Sequence, residues 1–258
     1  MAIEIRNLHK SYSGKKVVHD LSLTIPTGKI TSFIGPNGAG KSTVLAIISR
    51  LLSADSGDVY LNQRRLHDQK SSDIARQLAI LKQSNHINLR ITVEELVAFG
   101  RFPYSKGNLT ETDRTFIDNA INYMDLGAIR QQYIDNLSGG QRQRAYIAMT
   151  LAQDTDYILL DEPLNNLDMK HSVQIMQVLR KLVTELNKTV VIVIHDINFA
   201  SCYSDYIIAM KQGELVAQGN VDEIMREEVL QAIYDMPIPI QEINRQKIAI
   251  YFKSNQEK

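Results

Sequence analysis

The sequence of 258 residues predicts an α/β fold that contains a helical insertion. Strand-like segments such as EIRNL, VVHDLSLTI and KITSFIG alternate with helical ones, the first of which runs from about Lys41 to Leu52. The apolar runs KITSFIG, YILLD and VVIVI lack an alternation of polar and apolar residues, which is typical of parallel strands covered on both faces. From about Gln83 to Gln153 helical patterns replace this alternation.

The N-terminal part is expected to be rich in β-structure. MAIEIRNLHK alternates apolar and polar residues as a strand does, and it lacks the apolar core of a signal peptide. The longest purely apolar run, Val190 to Ile194, is far shorter than the roughly 20 residues that a membrane-spanning helix needs. We therefore expect no export signal, and any membrane role would come through a partner.

Charge and cysteine content narrow the function classes. Lys and Arg number 29 and Asp and Glu number 29, so there is no general electrostatic attraction to nucleic acid or to an acidic membrane surface. The one cysteine, Cys202, lies in the apolar stretch NFASCYSDYI, where a packed and reduced thiol is expected. These features indicate a reducing cytosolic compartment and no nucleic-acid partner.

The stretch GPNGAGKST follows the strand KITSFI and precedes a helix, which is the context of a phosphate-binding loop. Glycines let successive backbone N–H groups point at phosphate oxygens, and the helix adds its positive end. Lys41 would neutralise the β and γ phosphates, the Ser42 hydroxyl would bind Mg²⁺, and Thr43 would add a hydroxyl. The alternative is a glycine-rich turn that carries a lysine. The expected phosphate contacts are Gly35, Pro36, Asn37, Gly38, Ala39, Gly40, Lys41, Ser42 and Thr43.

A second carboxylate-bearing strand is expected at YILLDE, because an apolar run ends there in two adjacent acids. Asp161 would bind Mg²⁺, directly or through water. Glu162 would polarise an attacking water, since adjacent residues at the end of a strand diverge enough to serve the metal and the water separately. The alternative is an acidic pair that caps a helix.

Three further polar residues stand where strands or short apolar runs end, and each has an alternative structural role. Gln83 would orient the water or contact the metal, and otherwise it is an exposed loop residue. His195 would hydrogen-bond the γ-phosphate, and otherwise it is a structural histidine at a strand end. Tyr12 would stack on a purine base, and otherwise it is an exposed residue near a turn.

In LSGGQRQR, two adjacent glycines stand at the start of a polar, cationic helix. A helix N-terminus fronted by a serine and two glycines is a site for an anion, and the phosphate loop already serves the anion of the chain itself. The alternative, an ordinary helix with Ser138 as its N-cap, explains the serine but not the glycine pair.

The order of these motifs resembles that of the nucleotide-binding subunits of ABC transporters, from about residue 3 to residue 220. The resemblance implies a P-loop NTPase core of ABC type that binds ATP and Mg²⁺, with Lys41, Gln83, Glu162 and His195 as catalytic groups. It implies that LSGGQ caps the γ-phosphate bound by a second, antiparallel copy, so that Ser138, Gly139, Gly140 and Gln141 act in trans. Asp168 would then lie at the seam of an ATP-sandwich homodimer. The commonest family form of NNLD is SALD, which leaves the roles of Asn165 and Asn166 open.

The pattern of strands and helices divides the chain into three parts. Residues 1–85 and 154–220 would form the α/β catalytic core, residues 86–153 a helical subdomain inserted into it, and residues 221–258 a small C-terminal appendage.

Coupling to transport would require separate membrane permease subunits. They are expected to dock near Gln83 to Gly107, where Phe99, Phe102 and Tyr104 either line a groove for a partner helix or fill the core of the insertion. FGRFPY, DEPLNNLDMKHS and LSGGQRQRAYIAM together resemble the ATPase subunits of bacterial iron(III)-siderophore importers, a group that includes haem and cobalamin importers. This implies a peripheral position at the cytoplasmic face of the membrane and an indirect partnership with an extracytoplasmic siderophore-binding protein. An exporter ATPase with separate membrane subunits stays an alternative.

Overall fold

The computed structural model describes residues 2–83, 90–165 and 167–252, in which strands and helices alternate. The strands are β1 (Ala2–Tyr12), β2 (Lys15–Pro26), β3 (Ile30–Ile34), β4 (Ser56–Leu61), β5 (Arg64–Arg65), β6 (Leu78–Leu81), β7 (Tyr157–Asp161), β8 (Thr189–Val193), β9 (Tyr206–Lys211), β10 (Glu214–Gly219), β11 (Ile240–Ile243) and β12 (Gln246–Ala249). The helices are α1 (Lys41–Ile48), α2 (Ser71–Ile74), α3 (Val93–Ala98), α4 (Phe102–Ser105), α5 (Glu111–Tyr123), α6 (Gly139–Ala152), α7 (Met169–Leu186), α8 (Ile197–Tyr203), α9 (Val221–Ile224) and α10 (Glu227–Tyr234). This element order confirms the α/β class.

The chain forms two compact units. The first unit combines the residues up to His67 with those from Ile192 onward, and the second runs from Asp68 to Val191. The expected helical insertion, 86–153, falls within the second unit, and its first few residues lie outside the described part of the chain.

An antiparallel sheet in the order β2-β1-β4-β5 builds the N-terminal part of the first unit. β1 and β2 pair with Ile3 opposite Ile25 and Ile5 opposite Leu23, and these four side chains are buried on one face of the sheet. The segment AIEIRNLHK therefore forms the expected strand, and its alternating pattern results from a sheet with one buried face.

The strand before the phosphate loop lies in a different sheet of the same unit. β3 pairs in parallel with β9, from Thr31 opposite Tyr206 to Ile34 opposite Ala209, and β9 pairs antiparallel with β10. All five residues of β3 are buried, which confirms that the continuous apolar run is a strand covered on both faces. The chain leaves this strand at Ile34 and enters α1 at Lys41, so the nine-residue motif Gly35–Thr43, which comprises the connecting loop and the first three residues of α1, lies at the carboxyl end of a parallel strand.

The second unit contains the parallel pair β6 and β7, together with helices α3, α5 and α6 that pack on one another. Each of these three helices starts with a capping box that is readable in the sequence as T-x-x-E, T-x-x-D or S-x-x-Q. Reciprocal bonds between the cap and the third helical residue satisfy two backbone or side-chain groups at each start. The helices of this region therefore begin where the local sequence places them.

Two local differences from the sequence-based expectation have a clear cause. α1 ends at Ile48, not at Leu52, because the Ser49 hydroxyl donates to the carbonyls of Leu45 and Ala46 and Arg50 takes a positive φ of 59°. The hairpin of β9 and β10 was not assigned from the sequence, since the short apolar run YIIAM fits a helix as well as a strand.

The segments PIPIQEI and KIAIYF contain β11 and β12, which pair as an antiparallel hairpin from Ile240 opposite Ala249 to Ile243 opposite Gln246. The two strand-like pieces expected in the C-terminal appendage are therefore confirmed. Within the described ranges, none of the helices combines the length and the apolar character that crossing a membrane demands.

Candidate functional site

The phosphate loop joins β3 to α1 and requires glycine at two positions for two reasons each. Gly35 has a φ of 134°, and a Cβ there would lie 1.9 Å from the Met210 carbonyl oxygen. Gly40 has a φ of 95°, and a Cβ there would lie 2.6 Å from the Val17 carbonyl oxygen. Gly38, with a φ of 77° and open space around it, needs glycine for conformation alone. The loop thus adopts a fixed curl whose tip, at Asn37 and Gly38, is exposed.

Lys41 opens α1 and folds back over the loop. Its side chain is buried, and its Nζ donates to the carbonyl oxygens of Gly35, at 2.7 Å, and Pro36, at 2.9 Å. Gly40 provides no side-chain cap at the start of α1, so nothing from the N-cap residue covers the first-turn N–H groups. A buried ammonium beside an open helix start favours a bound anion. Ser42 and Thr43 follow at half-buried positions.

His195 follows β8, two residues beyond the last strand residue, Val193. The N–H of Ile194 donates to the Phe33 carbonyl oxygen at 3.1 Å, which ties this end to the end of β3. Asp196 then caps α8 by accepting from the N–H groups of Asn198 and Phe199. The His195 side chain is exposed, and it lies between the end of β8 and the N-cap of α8. The structure therefore places His195 beside the strand that carries the phosphate loop.

The C-terminal hairpin holds the helix that follows His195. Asn198 donates to the Ala249 carbonyl oxygen at 3.1 Å and accepts from the Ala249 N–H at 2.8 Å. Ser201 adds a bond to the Lys247 carbonyl oxygen at 2.6 Å. The appendage is thus a support for α8. Burial raises the pKa of the Cys202 thiol in this helix, in agreement with the expected reduced, packed cysteine.

Tyr12 lies at the last position of β1 with a half-exposed ring. The Lys10 ammonium lies 5.7 Å from the ring centroid, within the range of a cation–π contact. The exposed ring is available for stacking on a base. Its position near a turn also agrees with the alternative, in which Tyr12 is an ordinary exposed residue.

Glu162 immediately follows β7 in the second unit and takes a left-handed φ of 51°. Its Oε2 accepts a hydrogen bond of 2.7 Å from Gln83 Nε2 and a second bond from Asn165 Nδ2. The two amides hold the carboxylate in one orientation. Asp161, the last residue of β7, is half-buried next to it. The structure therefore brings Gln83 and Glu162 together and adds Asn165, whose role the sequence left open; Asn166 lies outside the described residues.

Removing the Asn165 amide should loosen the Glu162 carboxylate. A hydrogen bond to a charged group contributes about 1.5–3 kcal/mol, so Asn165→Ala is expected to lower the kcat of ATP hydrolysis by about 10-fold to 150-fold with little change in KM. Steady-state phosphate release measures both constants. The exposed Asn119 on α5 offers a matched control, and a kcat equal to that of Asn119→Ala would contradict the role of Asn165.

LSGGQ forms the start of α6. Ser138 Oγ accepts from the Gln141 N–H at 3.3 Å, and Gln141 Oε1 accepts from the Ser138 N–H at 3.0 Å. A Cβ at Gly140 would lie 2.8 Å from ring atoms of His171. Local structure therefore accounts for Ser138 as a helix cap and for Gly140 as a position without space for a side chain. A trans-acting role is not needed to explain the glycine at position 140. Ser138 and Gly139 themselves are exposed.

Asp168 caps α7 and shares His171 with the start of α6. Asp168 Oδ1 lies 2.8 Å from both the backbone N and the ring Nδ1 of His171. The backbone N–H bond from His171 is the main cause that lowers the pKa of Asp168, with the His171 side chain adding to it. One imidazole thus contacts two segments that the family resemblance assigns to the dimer interface. Only the D-x-x-H spacing in the sequence hinted at this residue.

Adding a methyl group at Gly140 should disturb this arrangement. Gly140→Ala is expected to abolish ATP-dependent dimerisation while the monomer stays folded, because overpacking costs about 1–3 kcal/mol. Light scattering with ATP measures dimerisation and thermal unfolding measures the fold. Gly127→Ala is the control, since a Cβ there meets nothing within 4 Å. Normal dimerisation of Gly140→Ala would contradict the prediction, and the added change His171→Ala should relieve the clash.

The two rings expected at a partner surface are exposed. Phe99 is 49% and Phe102 is 59% exposed, whereas Tyr104 is half-buried and lies with its ring centroid 4.0 Å from the Arg101 guanidinium carbon. Phe99 and Phe102 face solvent, as the alternative of a partner surface requires. Tyr104 packs within the unit, as the alternative of a core residue requires. Residues 84–89 of the expected docking segment lie outside the described residues.

Comparison with known proteins identifies the family of the chain. A family model described as "ABC transporter" matches residues 18–165. The chain is 59% identical over 250 residues to the petrobactin import ATP-binding protein YclP of Bacillus subtilis (strain 168), which covers 97% of this chain and 99% of that protein. It is 49% identical over 249 residues to the petrobactin import ATP-binding protein FatE of Bacillus anthracis, covering 96% of this chain and 100% of that protein.

A solved structure agrees with these relatives. The dimeric structure of a post-hydrolysis state of the ATP-binding cassette MJ0796, bound to ADP and Pi, superposes with a TM-score of 0.76 at 32% identity over 85% of this chain and 98% of that one. From the phosphate loop after β3, the Gln83–Glu162 pair after β6 and β7, the LSGGQ start of α6 and these matches, it follows that the chain belongs to the ABC transporter family.

Proposed function

We propose that the chain is the ATP-hydrolysing subunit of an importer that takes up iron(III)–siderophore complexes. The observation that carries this proposal is the identity of 59% to a petrobactin import ATP-binding protein along 97% of the chain. Two relatives with the same printed cargo, at 59% and 49%, favour petrobactin over the hydroxamate cargo of the FhuC relative, which is 41% identical. Haem, cobalamin and export remain the alternatives that the experiment below separates.

The phosphate loop binds the triphosphate of ATP in this proposal. Backbone N–H groups of Gly35 to Thr43 surround the phosphates, and Lys41 moves its Nζ bonds from the loop carbonyls to the β and γ oxygens. The exposed ring of Tyr12 stacks on adenine. His195 donates to the γ-phosphate from the turn that is pinned beside β3.

Glu162 is the general base of the proposed reaction. Its carboxylate orients and polarises the water that attacks the γ-phosphorus in line with the leaving oxygen. Gln83 and Asn165 hold that carboxylate through their amide donors, which reduces the reorganisation needed when the water reacts. The strained backbone of Glu162, with its positive φ, is consistent with a residue held for chemistry.

The oxygen donors fit Mg²⁺. Ser42, Gln83 and Asp161 carry hydroxyl, amide and carboxylate oxygens, the hard ligands that this ion takes beside phosphate. When bound, Mg²⁺ offsets negative charge on the β and γ phosphates. Gln83 would offer its amide oxygen to the metal while its amide nitrogen donates to Glu162.

A homodimer completes the proposed site. Ser138, Gly139, Gly140 and Gln141 cap the γ-phosphate held by a second copy, and Asp168 lies at the seam between the copies. The exposed start of α6 and the dimeric state of the MJ0796 cassette support this arrangement. Closure of the dimer on ATP is the movement passed to the membrane subunits.

The subunit docks at the cytoplasmic face of the membrane onto permease subunits, and through them it serves an extracytoplasmic siderophore-binding protein. Docking uses the segment from Gln83 to Gly107, in which Phe99 and Phe102 offer exposed aromatic surface. Residues 86–153 form the helical subdomain that carries most of this segment, between the core residues 1–85 and 154–220. Residues 221–258 form the appendage that supports α8.

The test is uptake of radioactive iron(III) in cells of the native host that lack this gene and carry either the wild-type or the Lys41→Ala form. Iron is offered as petrobactin, as a hydroxamate siderophore and as enterobactin in turn. Loss of petrobactin uptake in the variant alone supports the proposal and its cargo. Unchanged uptake of all three overturns siderophore import, and parallel assays with haem and cobalamin then decide between the remaining importers.

A further inference from the structure

Arg101 is a buried cation in the second unit, next to the exposed rings of the docking segment. It ends the 3₁₀ turn Phe99–Arg101 and is only 4% exposed. Its Nε donates to Asp113 Oδ1 at 2.8 Å, and its Nη1 donates to the Ala152 carbonyl oxygen at 2.8 Å. Its guanidinium lies against the rings of Tyr104 and Phe116, with the carbon 4.0 and 4.3 Å from their centroids. The side chain is therefore held on every side that the structure describes.

The carboxylate partner is equally fixed. Asp113 accepts from the N–H and hydroxyl of Thr110 as the third residue of the α5 capping box. These Thr110 bonds, followed by the bond from Arg101, lower the pKa of Asp113 to about 2. Asp113 stays ionised at neutral pH, so the two buried charges compensate each other.

The backbone of the same turn rests directly on α6. A Cβ at Gly100 would lie 2.1 Å from the Met149 carbonyl oxygen and 3.2 Å from the Ala152 Cβ. Ala152 is the last residue of α6, so the Arg101 donor satisfies a carbonyl that has no partner inside the helix and lies at the negative end of its dipole. Two consecutive residues, Gly100 and Arg101, thus attach the turn to the C-terminal end of α6.

The opposite end of α6 carries the LSGGQ motif. The helix has 14 residues, which corresponds to about 21 Å at 1.5 Å per residue. After its two N-terminal glycines, α6 contains no proline or glycine, the usual sites of a kink, so the helix moves as one body. A displacement of its C-terminal end at Ala152 therefore changes the position or tilt of Ser138 and Gly139.

Stability alone does not account for the buried pair. Apolar side chains of similar volume commonly replace a buried ion pair without loss of stability, because the desolvation of two charges offsets their attraction. A planar guanidinium that donates to Asp113 on α5 and to the Ala152 carbonyl of α6 fixes the geometry between its own turn and these two helices more narrowly than apolar packing does. The flanking residues Phe99 and Phe102 expose their rings at the surface on which a partner would act.

We propose that Arg101 is a positioning residue that transmits the docking of the membrane partner at Phe99 and Phe102 to the LSGGQ end of α6. This inference rests on the proposed function, because it assumes a permease at the docking segment. The Arg101–Asp113 pair and the bond to Ala152 couple the two ends: the partner moves the turn, the turn moves α6, and α6 presents Ser138 to the second copy.

The test uses the double variant Arg101→Met/Asp113→Asn, which removes both charges, keeps an acceptor for Thr110 and leaves a flexible apolar side chain against the two rings. The Tm of the purified subunit is expected to stay close to that of wild type. Its basal rate of ATP hydrolysis and its fraction of ATP-dependent dimer are expected to stay within about twofold of wild type. Uptake of radioactive iron(III)–petrobactin in the deletion host is expected to fall by about 5-fold to about 150-fold, the usual range of coupling between sites. Arg101→Lys keeps the charge and reaches one acceptor, so its uptake should be intermediate.

Arg130 gives a matched control in the same unit. Its guanidinium bonds Glu94 on α3 and Asp118 on α5, but the docking turn and α6 are not among these partners. Arg130→Met should keep wild-type uptake. Wild-type uptake in the folded double variant overturns the role of Arg101, and so does an equal loss of basal hydrolysis, which would indicate a general structural role. Absence of uptake with the wild-type subunit overturns the proposed function itself, and this inference with it.

Discussion

Glu162→Gln is expected to lower steady-state ATP hydrolysis by about 10²-fold to 10⁴-fold, the usual contribution of a general base. The substitution keeps the length of the side chain and one oxygen that accepts from Gln83, so the local geometry is retained. Because ATP is bound but not hydrolysed, the variant should accumulate as an ATP-bound dimer. Phosphate release measures the rate, and light scattering with ATP and Mg²⁺ measures the dimer.

Two further variants make this prediction specific. Glu111→Gln changes a fully exposed carboxylate at the start of α5 and should hydrolyse ATP at the wild-type rate. Combining Glu162→Gln with Ser138→Arg places a long cation at the exposed start of α6 and should prevent the dimer, because the γ-phosphate contact comes from the other copy. A monomer with Glu162→Gln alone would contradict the trans-acting role of LSGGQ. Normal hydrolysis by this variant would contradict the role of Glu162.

The sequence predicted the elements whose signals are local. The phosphate loop before α1, the β7 strand before Glu162 and the N-cap role of Ser138, given as the alternative for LSGGQ, depend on residues within a few positions of one another, and all three appear at the predicted positions. The hairpin of β9 and β10 depends on pairing with a distant strand, as in Ser32 opposite Ile207. A short apolar run carries no signal for such a pairing, so the sequence does not predict this hairpin.

The candidate site divides in the same way. Motif residues such as Lys41 and Glu162 were identifiable because their chemistry requires a fixed residue type at a fixed spacing. Asn165, His171 and Arg101 were not identified, since only folding creates their contacts. Asn165 donates to the Glu162 carboxylate, the His171 ring leaves no space for a Cβ on Gly140, and Arg101 donates to the last carbonyl of α6. Residues that hold functional groups in place leave weaker sequence signals than the groups themselves.

Lys41→Ala is expected to remove ATP hydrolysis and to weaken ATP binding strongly. The ammonium is buried and already desolvated by its two carbonyl partners, so it meets the phosphates with little reorganisation. Loss of one such preorganised group costs about 10²-fold to 10³-fold in rate. Titration with a fluorescent ATP analogue measures binding, and phosphate release measures turnover.

The matched control is Lys29→Ala, which removes an exposed lysine from the turn before β3 and should leave both measurements unchanged. Lys41→Ala also leaves the carbonyls of Gly35 and Pro36 without their ammonium donor, at a cost of about 1–3 kcal/mol for each group that stays buried. A moderate drop in Tm is therefore part of the expected result, and Lys41→Arg, which keeps the charge on a longer and planar group, separates charge from fit. Turnover by Lys41→Ala equal to that of Lys29→Ala would contradict phosphate binding at this loop, because no other group in the loop Gly35–Thr43 carries a positive charge.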